Sequence, residues 1–209
     1  MSYYAVAKGR VPGIYTTWKE CEEQVKGFSS ASYKKFPNKK DAKYFVESTI
    51  PKENIETKIN GLVVFTDGAC PDNGTEKARA SWAICWPYNS LLDKKGLLPG
   101  VKQTNIRAEL YAIMQAIKQA NTISKTDQLH VYTDSEFSIN VVEKWLEGWK
   151  ERNYLNVKNR DLIKELDTLL NSRSKKPELH FVRSHSKGTD FASVWNNVVD
   201  KAAVSVFGD

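Results

Sequence analysis

The stretch that decides the fold is GLVVFTDGACPDNG, residues 61–74. Its first half has a run of apolar side chains typical of a buried strand, and its second half is a polar turn containing proline and glycine. Asp67 stands between the two, where a carboxylate loses solvation energy unless another group interacts with it. For a single aspartate, the more common explanation is a turn residue that caps its own backbone. A second copy of the pattern changes this interpretation.

That second copy is QLHVYTD, residues 128–134, another apolar segment that ends in Thr-Asp, at Asp134. In open α/β sheets, sites form at the carboxyl ends of strands. Two further acids lie in predicted helices: Glu109 is one turn into a helix that begins near Asn105, and Asp200 is flanked by apolar residues of the C-terminal helix. Four carboxylates at one place would repel one another, and Mg²⁺ or Mn²⁺, which prefer oxygen ligands, would relieve that repulsion.

The composition limits the class of protein. The chain has 209 residues, of which 41% are hydrophobic, which indicates a globular protein with an ample core. Its net charge of +6 favours an anionic partner such as nucleic acid. Three cysteines without a C-x-x-C pair argue against a disulfide framework or a zinc site and fit a reducing compartment. No apolar run has the length of a membrane span and the N-terminus lacks a signal-peptide pattern, so we expect cytoplasm or nucleus and no membrane partner.

A polar, lysine-rich segment at residues 48–60 predicts a linker between two units. In residues 1–47, we expect three short strands and two helices. The first helix begins at a capping box at residues 17–20, and the second begins after Asn38, which caps it. In residues 61–209, strands and helices are mixed, which predicts a three-layer α/β domain. The smaller unit carries the larger share of the excess positive charge.

Hydrophobic periodicity and turn residues predict the elements of the larger unit. The predicted strands are at 61–67, 80–86, 96–101, 128–134 and 178–184. The predicted helices are at 105–120, 135–149, 159–171 and 194–206.

Four blocks, TDGACPDNG, QTNIRAELYAI, VYTDSEFSIN and VRSHSKGTD…NNVVDKAA, resemble the signature blocks of the cellular type 1 ribonuclease H family. Their order and spacing also resemble the family across residues 61–207. Before the predicted linker, the segments YYAVAKGR, GIYTTWKECEEQVKGF and YKKF resemble the hybrid-binding domain found at the N-terminus of eukaryotic members. All blocks occurring in one chain, in family order, are stronger evidence than any one of them.

The resemblance implies a fold and an activity. The fold is a three-layer ribonuclease H-like domain with a mixed five-stranded sheet, plus a small α+β N-terminal domain with a three-stranded antiparallel sheet and two helices. The activity is endonucleolytic hydrolysis of the RNA strand of RNA–DNA hybrids by two metal ions, leaving 5′-phosphate and 3′-hydroxyl ends. The implied cofactor is Mg²⁺, for which Mn²⁺ substitutes. The implied partners are an RNA–DNA hybrid and, weakly through the N-terminal domain, double-stranded RNA, and we expect a monomer.

The resemblance also implies roles for residues of the larger unit. The metal-binding carboxylates are Asp67, Glu109, Asp134 and Asp200. His185 would aid proton transfer or product release, which a pKa near neutrality suits, whereas the alternative is an ordinary surface histidine. The implied RNA contacts are Asn73 and Asn105, and the implied pocket for a DNA phosphate consists of Lys102, Thr104 and Asn159.

Aromatic residues are implied to contact the substrate in both units. Trp145 and Trp149, four apart on one helix, would line a channel for the DNA strand. The alternative is that these side chains pack in the core, and we expect this more for Trp145 than for Trp149. In the N-terminal unit, the implied hybrid contacts are Tyr4, Trp18, Tyr33, Lys34 and Lys35. Strand alternation predicts that the two lysines lie on opposite faces unless the strand has ended.

Three features depart from the family pattern. Ile106 stands where a polar residue is usual, Trp195 replaces a glycine, and the segment at residues 149–157 is short. Two other classes of protein remain: a hybrid-binding protein without catalysis, and a related two-metal nuclease or integrase. The four intact acids argue against the first. The N-terminal unit and the stretch at residues 103–105 argue against the second.

Overall fold

The computed structural model describes residues 2–10, 12–49, 59–185 and 188–208. They form two compact units, the second of which begins at Ile59. Of the predicted linker at residues 48–60, positions 50–58 lie outside the described residues. Within the part of the chain that the structure describes, no helix is both long enough and apolar enough to span a membrane.

The N-terminal unit contains a three-stranded antiparallel sheet and two helices, as the sequence predicted. The sheet has the order β2-β1-β3, so that β1 pairs with both neighbours. Its elements are β1 (Tyr3–Lys8), β2 (Gly13–Tyr15), α1 (Trp18–Val25), β3 (Ser32–Phe36) and α2 (Lys39–Thr49).

Both helices of this unit begin at the predicted caps. The backbone nitrogen of Glu20 donates to the Thr17 hydroxyl at 3.3 Å, and the backbone nitrogen of Thr17 donates to the Glu20 carboxylate at 3.0 Å, which completes a capping box. The backbone nitrogen of Asp41 donates to Oδ1 of Asn38 at 2.9 Å. Gly27, with a φ of +69°, follows the end of α1 in the left-handed conformation that glycine adopts without strain.

The C-terminal unit has a mixed five-stranded sheet in the order β6-β5-β4-β7-β8. The strands are β4 (Leu62–Ala69), β5 (Ser81–Cys85), β6 (Lys94–Leu97), β7 (Leu129–Thr133) and β8 (Glu178–Phe181). Strands β4, β7 and β8 are parallel, whereas β5 and β6 run antiparallel to their neighbours. The helices are α3 (Asn105–Ile123), α4 (Glu136–Asn140), α5 (Leu146–Glu151), α6 (Arg160–Asn171) and α7 (Phe191–Val204).

Helices cover both faces of this sheet, which confirms the predicted three layers. Side chains alternate along β4, so Val64 packs in the larger core cluster with Ile113 of α3, while Phe65 packs on the opposite face with Val199 of α7. Each of these four side chains is fully buried, and burying one such side chain stabilises the fold by about 1.5–3 kcal/mol. The central strand β4 is therefore fixed from both sides.

Several predicted boundaries were wrong. The strand expected at 96–101 is β6 at Lys94–Leu97, because Pro99 lacks a backbone donor and Gly100 has a φ of +88°. The last helix begins at Phe191 rather than 194, because the Asp190 side chain accepts a bond from the backbone nitrogen of Ser193 and caps it.

Other elements differ only in length. Helix α3 continues three residues beyond the expected end at 120, and β8 ends at Phe181 rather than 184. The helix expected at 135–149 is a helical run in which a π-helical turn, Val141–Trp145, separates α4 from α5. A π-helical turn inserts an extra residue and shifts the faces of the helix that follows it.

Candidate active site

Asp67 lies within β4, not at its end as the sequence suggested. Pairing of β4 with its parallel neighbour β7 runs only from Leu62 to Phe65. Antiparallel pairing with β5 continues through Asp67, opposite Ala83, to Ala69. The carboxylate therefore projects from a strand that is held on one side by β5 and has passed the end of its pairing with β7.

Gly68 permits the approach of α3 to β4. A Cβ atom at position 68 would lie 2.5 Å from the backbone nitrogen of Glu109 and 2.7 Å from Cβ of Ala108. Only a residue without a side chain allows this contact, and the contact places Glu109 beside Asp67. Gly68 was not among the predicted site residues, although a glycine directly after a strand carboxylate was the signal for it.

We expect Gly68→Ala to lower the free energy of unfolding by about 1–3 kcal/mol or more, because the added methyl group must displace backbone atoms of α3. Gly148→Ala in α5 is the matched control, since an added Cβ there meets nothing within 4 Å. The control should be neutral or stabilise by up to about 1 kcal/mol, the helix-propensity gain. Urea unfolding of both variants checks this, and equal stability of the two would contradict the packing argument.

The structure brings the four predicted metal ligands to one pocket. Asp67, Glu109, Asp134 and Asp200 line a cavity of about 460 Å³. One carboxylate oxygen from each of Asp67, Glu109 and Asp134 lies within 4.8 Å of the others. Asp67 and Glu109 are each only 5% exposed. Strand β4, helix α3, the residue after β7 and helix α7 each contribute one acid, so the sheet topology assembles the group.

Burial and mutual repulsion disfavour the charged forms of these acids. Burial first, and then the charges of Asp134 and Asp200, raises the pKa of Asp67 to about 8. Burial and the same kind of repulsion, from Asp67 and Asp134, raise the pKa of Glu109 well above its ordinary value. The pKa of Asp134 is also raised, chiefly by burial, although a hydrogen bond from Asn196 opposes the shift. A cation in the pocket would reverse these shifts.

The arrangement fits a bound metal ion. Oε2 of Glu109 is buried and has no hydrogen-bond partner. Among the described residues, no lysine or arginine forms an ion pair with any of the four carboxylates. A buried carboxylate oxygen without a hydrogen-bond partner lowers the stability of the fold. Such oxygens are the ligands that hard divalent cations prefer. The donor set therefore suits Mg²⁺ or Mn²⁺ rather than a soft metal.

Asn196 is a residue of this site that the sequence reasoning did not assign. It is buried in α7, and its Nδ2 donates to Oδ2 of Asp134 at 3.4 Å. The signal was its spacing, because Asn196 and Asp200 are four residues apart and therefore on one face of a helix. Its neighbour Trp195, which replaces the family glycine, lies near Phe65 with ring centroids 6.4 Å apart.

His185 lies at the mouth of the pocket. Its side chain is 82% exposed, and its Nδ1 is 3.9 Å from Oδ2 of Asp200. The backbone of His185 has a φ of +49°, which is uncommon for a residue with a side chain. The imidazole of His185 is therefore exposed to solvent and lies near a carboxylate of the pocket.

The residues assigned to RNA contact lie next to the carboxylates. The backbone nitrogen of Asn105 donates to Oδ1 of Asn73 at 3.2 Å, which ties the turn after β4 to the start of α3. The Nδ2 of Asn105 donates to Oε1 of Glu109 at 3.4 Å. The exposed side chain of Ile106 also lines the pocket, so an apolar surface occupies the position where the resemblance led us to expect a polar residue.

Arg107 connects two of the three residues assigned to a DNA phosphate. The hydroxyl of Thr104 accepts from the backbone nitrogen of Arg107 at 3.3 Å, and Oδ1 of Asn159 accepts from the Arg107 guanidinium at 3.4 Å. The guanidinium also donates to both oxygens of Asp161, at 2.9 and 2.6 Å, and these bonds lower the pKa of Asp161 to about 2. The third residue, Lys102, is exposed two positions before Thr104.

Three aromatic rings lead away from the pocket. Phe137 lines the pocket, its ring centroid is 5.5 Å from that of Trp145, and Trp145 is 5.6 Å from Trp149. The expectation that Trp145 packs in the core more than Trp149 was wrong. Trp145 is 37% exposed, whereas Trp149 is partly buried and packs against the main core. The π-helical turn ends at Trp145 and shifts the faces of α5 relative to those of α4.

Four of the five residues assigned to the N-terminal contact surface cluster together. The ring of Trp18 lies 5.8 Å from the rings of Tyr4 and of Tyr33, and the Lys35 ammonium is 5.5 Å from the Tyr4 ring. Lys35 is opposite Tyr4 in the sheet, whereas Lys34 is opposite Ala5, so the two lysines lie on opposite faces, as alternation predicted. The fifth residue, Lys34, is therefore directed away from the cluster.

Comparison with known proteins agrees with this architecture. Residues 59–207 match the sequence profile of the RNase H family, and residues 2–46 match that of the Ribonuclease H1 N-terminal domain. The chain is 29% identical to Ribonuclease H1 of Mus musculus over 217 residues, which cover 79% of this chain and 75% of that protein. It is 28% identical to Ribonuclease H of Schizosaccharomyces pombe over 254 residues, which cover 92% and 93% of the two chains.

Solved structures show the same fold. LC9-RNase H1, a type 1 RNase H with the type 2 active-site motif, superposes with a TM-score of 0.55 at 18% identity and covers 72% of this chain and 74% of its own. The foamy viral protease-reverse transcriptase in complex with an RNA/DNA hybrid superposes with a TM-score of 0.59 at 20% identity and covers 70% of this chain and 20% of its own. The chain belongs to the ribonuclease H family. It is thus a nuclease with two recognisable units, a hydrolase domain and a Ribonuclease H1 N-terminal domain.

Proposed function

We propose that this chain cleaves the RNA strand of RNA–DNA hybrids endonucleolytically by two-metal-ion catalysis. The observation that carries the proposal is the group of buried carboxylates around Asp67, in which an oxygen of Glu109 has no partner. Such a group is unfavourable for stability without a cation, and proteins retain unfavourable arrangements of this kind chiefly at functional sites. Membership of the ribonuclease H family makes phosphodiester hydrolysis the reaction.

The residues that would hold the metal are Asp67, Glu109, Asp134 and Asp200. When bound, a pair of Mg²⁺ ions, or Mn²⁺ in their place, would activate the attacking water and stabilise the leaving 3′ oxygen. The chain itself orients the ligands: Asn105 donates to Glu109, and Asn196 donates to Asp134. These two amides fix the directions of the carboxylates, as outer hydrogen bonds do for metal ligands generally.

His185 would carry a proton between the pocket and solvent. Its imidazole is exposed, and it is close enough to Asp200 to be attracted when protonated. An imidazole changes its charge near neutral pH, so it can accept a proton or release one during a catalytic cycle. The exposed position also suits a role in the departure of product.

Substrate selection would come from the two sides of the pocket. Asn73 and Asn105 lie beside the carboxylates, where their amides could pair with a 2′-hydroxyl, the group that distinguishes RNA from DNA. On the other side, Trp145 and Trp149 offer ring faces to the DNA strand. Lys102, Thr104 and Asn159 would receive a DNA phosphate, with Arg107 fixing Thr104 relative to Asn159.

The N-terminal unit would bind the hybrid directly and double-stranded RNA more weakly, as part of a monomeric protein. Trp18 and Tyr33 are 44% and 46% exposed, and an exposed cluster of aromatic rings beside a lysine is suited to sugars and phosphates. Tethering this unit to the hydrolase domain would raise the effective concentration of substrate at the pocket.

The sheet register makes a sharp prediction about the two adjacent lysines. Lys35→Ala should weaken hybrid binding by about 3- to 10-fold, because its ammonium lies with the aromatic cluster. Lys34→Ala, the matched control on the opposite face, should weaken binding by less than about 2-fold. Trp18→Ala should cost about 5- to 100-fold, the range for loss of an aromatic stacking partner.

These affinities are best measured with the full chain in EDTA, so that the substrate stays intact. Fluorescence anisotropy with a labelled hybrid gives the dissociation constant for each variant. Equal losses for Lys34→Ala and Lys35→Ala would mean that binding reports only net charge and not the aromatic face.

Product analysis tests the proposed chemistry. Fragments from hybrid cleavage should carry 5′-phosphate ends, which resist kinase labelling until phosphatase treatment, and 3′-hydroxyl ends, which a polymerase extends. The rate should rise with the second power of Mg²⁺ concentration below saturation, since two ions are required. Fragments with 2′,3′-cyclic phosphate ends would contradict the proposal, because they require attack by the 2′-hydroxyl instead of by water.

A further inference from the structure

A second group of metal-binding side chains lies outside the carboxylate pocket. His130 of β7 is opposite Glu178 of β8, and His180 follows two residues later on the same face. Nδ1 of His130 is 3.0 Å from Nε2 of His180 and 3.3 Å from Oε2 of Glu178. Nε2 of His180 is 3.9 Å from the same carboxylate oxygen. Two imidazoles and one carboxylate thus converge at the edge of the sheet.

The three distances correspond to the edges of a coordination tetrahedron. With Zn–N and Zn–O bonds of about 2.0–2.2 Å, two ligand atoms of a tetrahedral site are separated by roughly 3.3–3.5 Å. The observed separations of 3.0, 3.3 and 3.9 Å bracket this value, so shifts of a few tenths of an ångström would complete three corners. We propose that His130, Glu178 and His180 bind a zinc ion, with solvent in the fourth position.

The surroundings of the two imidazoles support this assignment. The ring of His180 stacks on Tyr132 with centroids 4.6 Å apart, which fixes its orientation. Imidazole nitrogen favours Zn²⁺, Ni²⁺ and Cu²⁺ over Mg²⁺, so this site would not compete with the carboxylate pocket for its cofactor.

The neighbourhood leaves access for solvent and an ion. Glu178 and His180 line an open cleft of about 410 Å³. Lys176 lines the same cleft, but its ammonium donates to the backbone oxygen of Val142 at 3.1 Å. Glu143 also lines the cleft and adds negative charge to it.

The proposed ion would join two strands that lead to the active site. Strand β8 is the edge strand and has only four residues, and β7 is its single partner in the sheet. Asp134 follows β7, and the segment with His185 follows β8. A zinc ion across the pair would therefore stabilise the edge of the sheet. The expectation against a zinc site rested on cysteine spacing alone, and this ligand set needs no cysteine.

Zinc binding can be measured on the whole protein with the carboxylate pocket saturated by Mg²⁺. Titration of Zn²⁺ against a chromophoric chelator gives the affinity, and thermal unfolding gives its effect on stability. At a free Zn²⁺ concentration about 100 times the dissociation constant, the wild-type Tm should rise by roughly 5–10 °C. His180→Gln and Glu178→Ala should each weaken zinc binding by at least about 10-fold and remove at least about half of the rise in Tm.

His185→Ala is the matched control, because it removes the third of the three histidines of the chain and leaves the proposed ligands in place. Its zinc affinity should equal that of the wild type. Co²⁺ substitution separates this site from the free cysteines, since a thiolate ligand would give a sulfur-to-metal charge-transfer band that a His₂Glu site lacks.

If His180→Gln fails to fold, Glu178→Ala still tests the proposal. Glu178 is exposed, so its substitution should leave the fold intact, and circular dichroism checks this. Absence of zinc binding by the wild type, or equal binding by the wild type and Glu178→Ala, overturns the proposal. So does a thiolate band in the cobalt spectrum.

Discussion

Asp134→Asn is expected to reduce the rate of hybrid cleavage by at least about 10³-fold. The amide has the size of the carboxylate but lacks its charge, so it binds a divalent cation poorly. The charge stabilisation that a catalytic metal supplies is worth several kcal/mol, and each 1.36 kcal/mol corresponds to about a tenfold change in rate. Affinity for the intact hybrid should change little, since Asp134 is not among the proposed nucleic-acid contacts.

The same variant should be more stable than the wild type when metal is absent. The charge of Asp134 raises the pKa of Asp67 and of Glu109, and its removal relieves both. In EDTA, the Tm of Asp134→Asn should therefore rise, by about 2–4 °C for each kcal/mol of relief. Loss of activity together with a gain in stability identifies a functional residue more specifically than loss of activity alone.

Asp127→Asn is the matched control for Asp134→Asn. Asp127 precedes β7 and is exposed, whereas Asp134 follows the same strand and faces the pocket. The control should retain the cleavage rate and the Tm of the wild type to within about 0.5 kcal/mol, the usual range for surface substitutions. Cleavage by Asp134→Asn at a rate near that of the wild type would exclude Asp134 as a metal ligand.

The metal-free protein should lose stability as the pH rises from about 4 to about 8. The pKa of Asp67 is about 8 in the folded state, against an ordinary value of 3.8 in the unfolded chain. Between these values the folded state holds a proton that the unfolded state has released, so the free energy of unfolding falls with increasing pH. At about 1.4 kcal/mol per pKa unit, a shift of this size makes the loss several kcal/mol, and the raised pKa of Glu109 acts in the same direction.

Saturating Mg²⁺ should remove this pH dependence, since a cation stabilises the ionised carboxylates. Urea unfolding at pH 5 and pH 8, in EDTA and in Mg²⁺, measures the effect. In EDTA the protein should be more stable at pH 5, and Mg²⁺ should stabilise it much more at pH 8 than at pH 5. Equal stability at the two pH values in EDTA would show that the carboxylates are not crowded as the structure indicates.

Most of the fold could be predicted from local sequence signals. The capping box at Thr17 and the apolar run of β4 specify the elements that contain them, because each rests on interactions between residues close in sequence. The convergence of Asp67 and Asp134 was also predictable, since parallel strands end at the same edge of a sheet. The prediction located the acids but misplaced Asp67 at a strand end.

The parts of the site that the sequence did not reveal depend on distant contacts. The need for glycine at position 68 arises from the approach of α3 at Glu109, which is 41 residues away in sequence. The bond from Asn196 to Asp134 joins α7 to the residue after β7. Contacts across such separations are determined by tertiary packing, and local propensity carries no information about them.

The two tryptophans illustrate a further limit. A regular helix would place Trp145 and Trp149 on one face with similar exposure, yet Trp145 is exposed and Trp149 packs against the core. The π-helical turn at Val141–Trp145 precedes both side chains and rotates α5 relative to α4, so the faces that a regular helix over 135–149 predicts do not continue to the tryptophans. Residue type alone does not predict such a turn, since it depends on how the helix packs against the sheet.

The most direct test of the account is cleavage of one labelled RNA–DNA hybrid of about 20 base pairs, roughly two helical turns, beside RNA and DNA duplexes of the same sequence. Each substrate is incubated with the wild-type protein in Mg²⁺ and in EDTA. We expect cleavage of the RNA strand of the hybrid alone, and only with Mg²⁺. If the protein binds the hybrid but cleaves it in neither Mg²⁺ nor Mn²⁺, the chain is a hybrid-binding protein and the proposed catalysis is wrong.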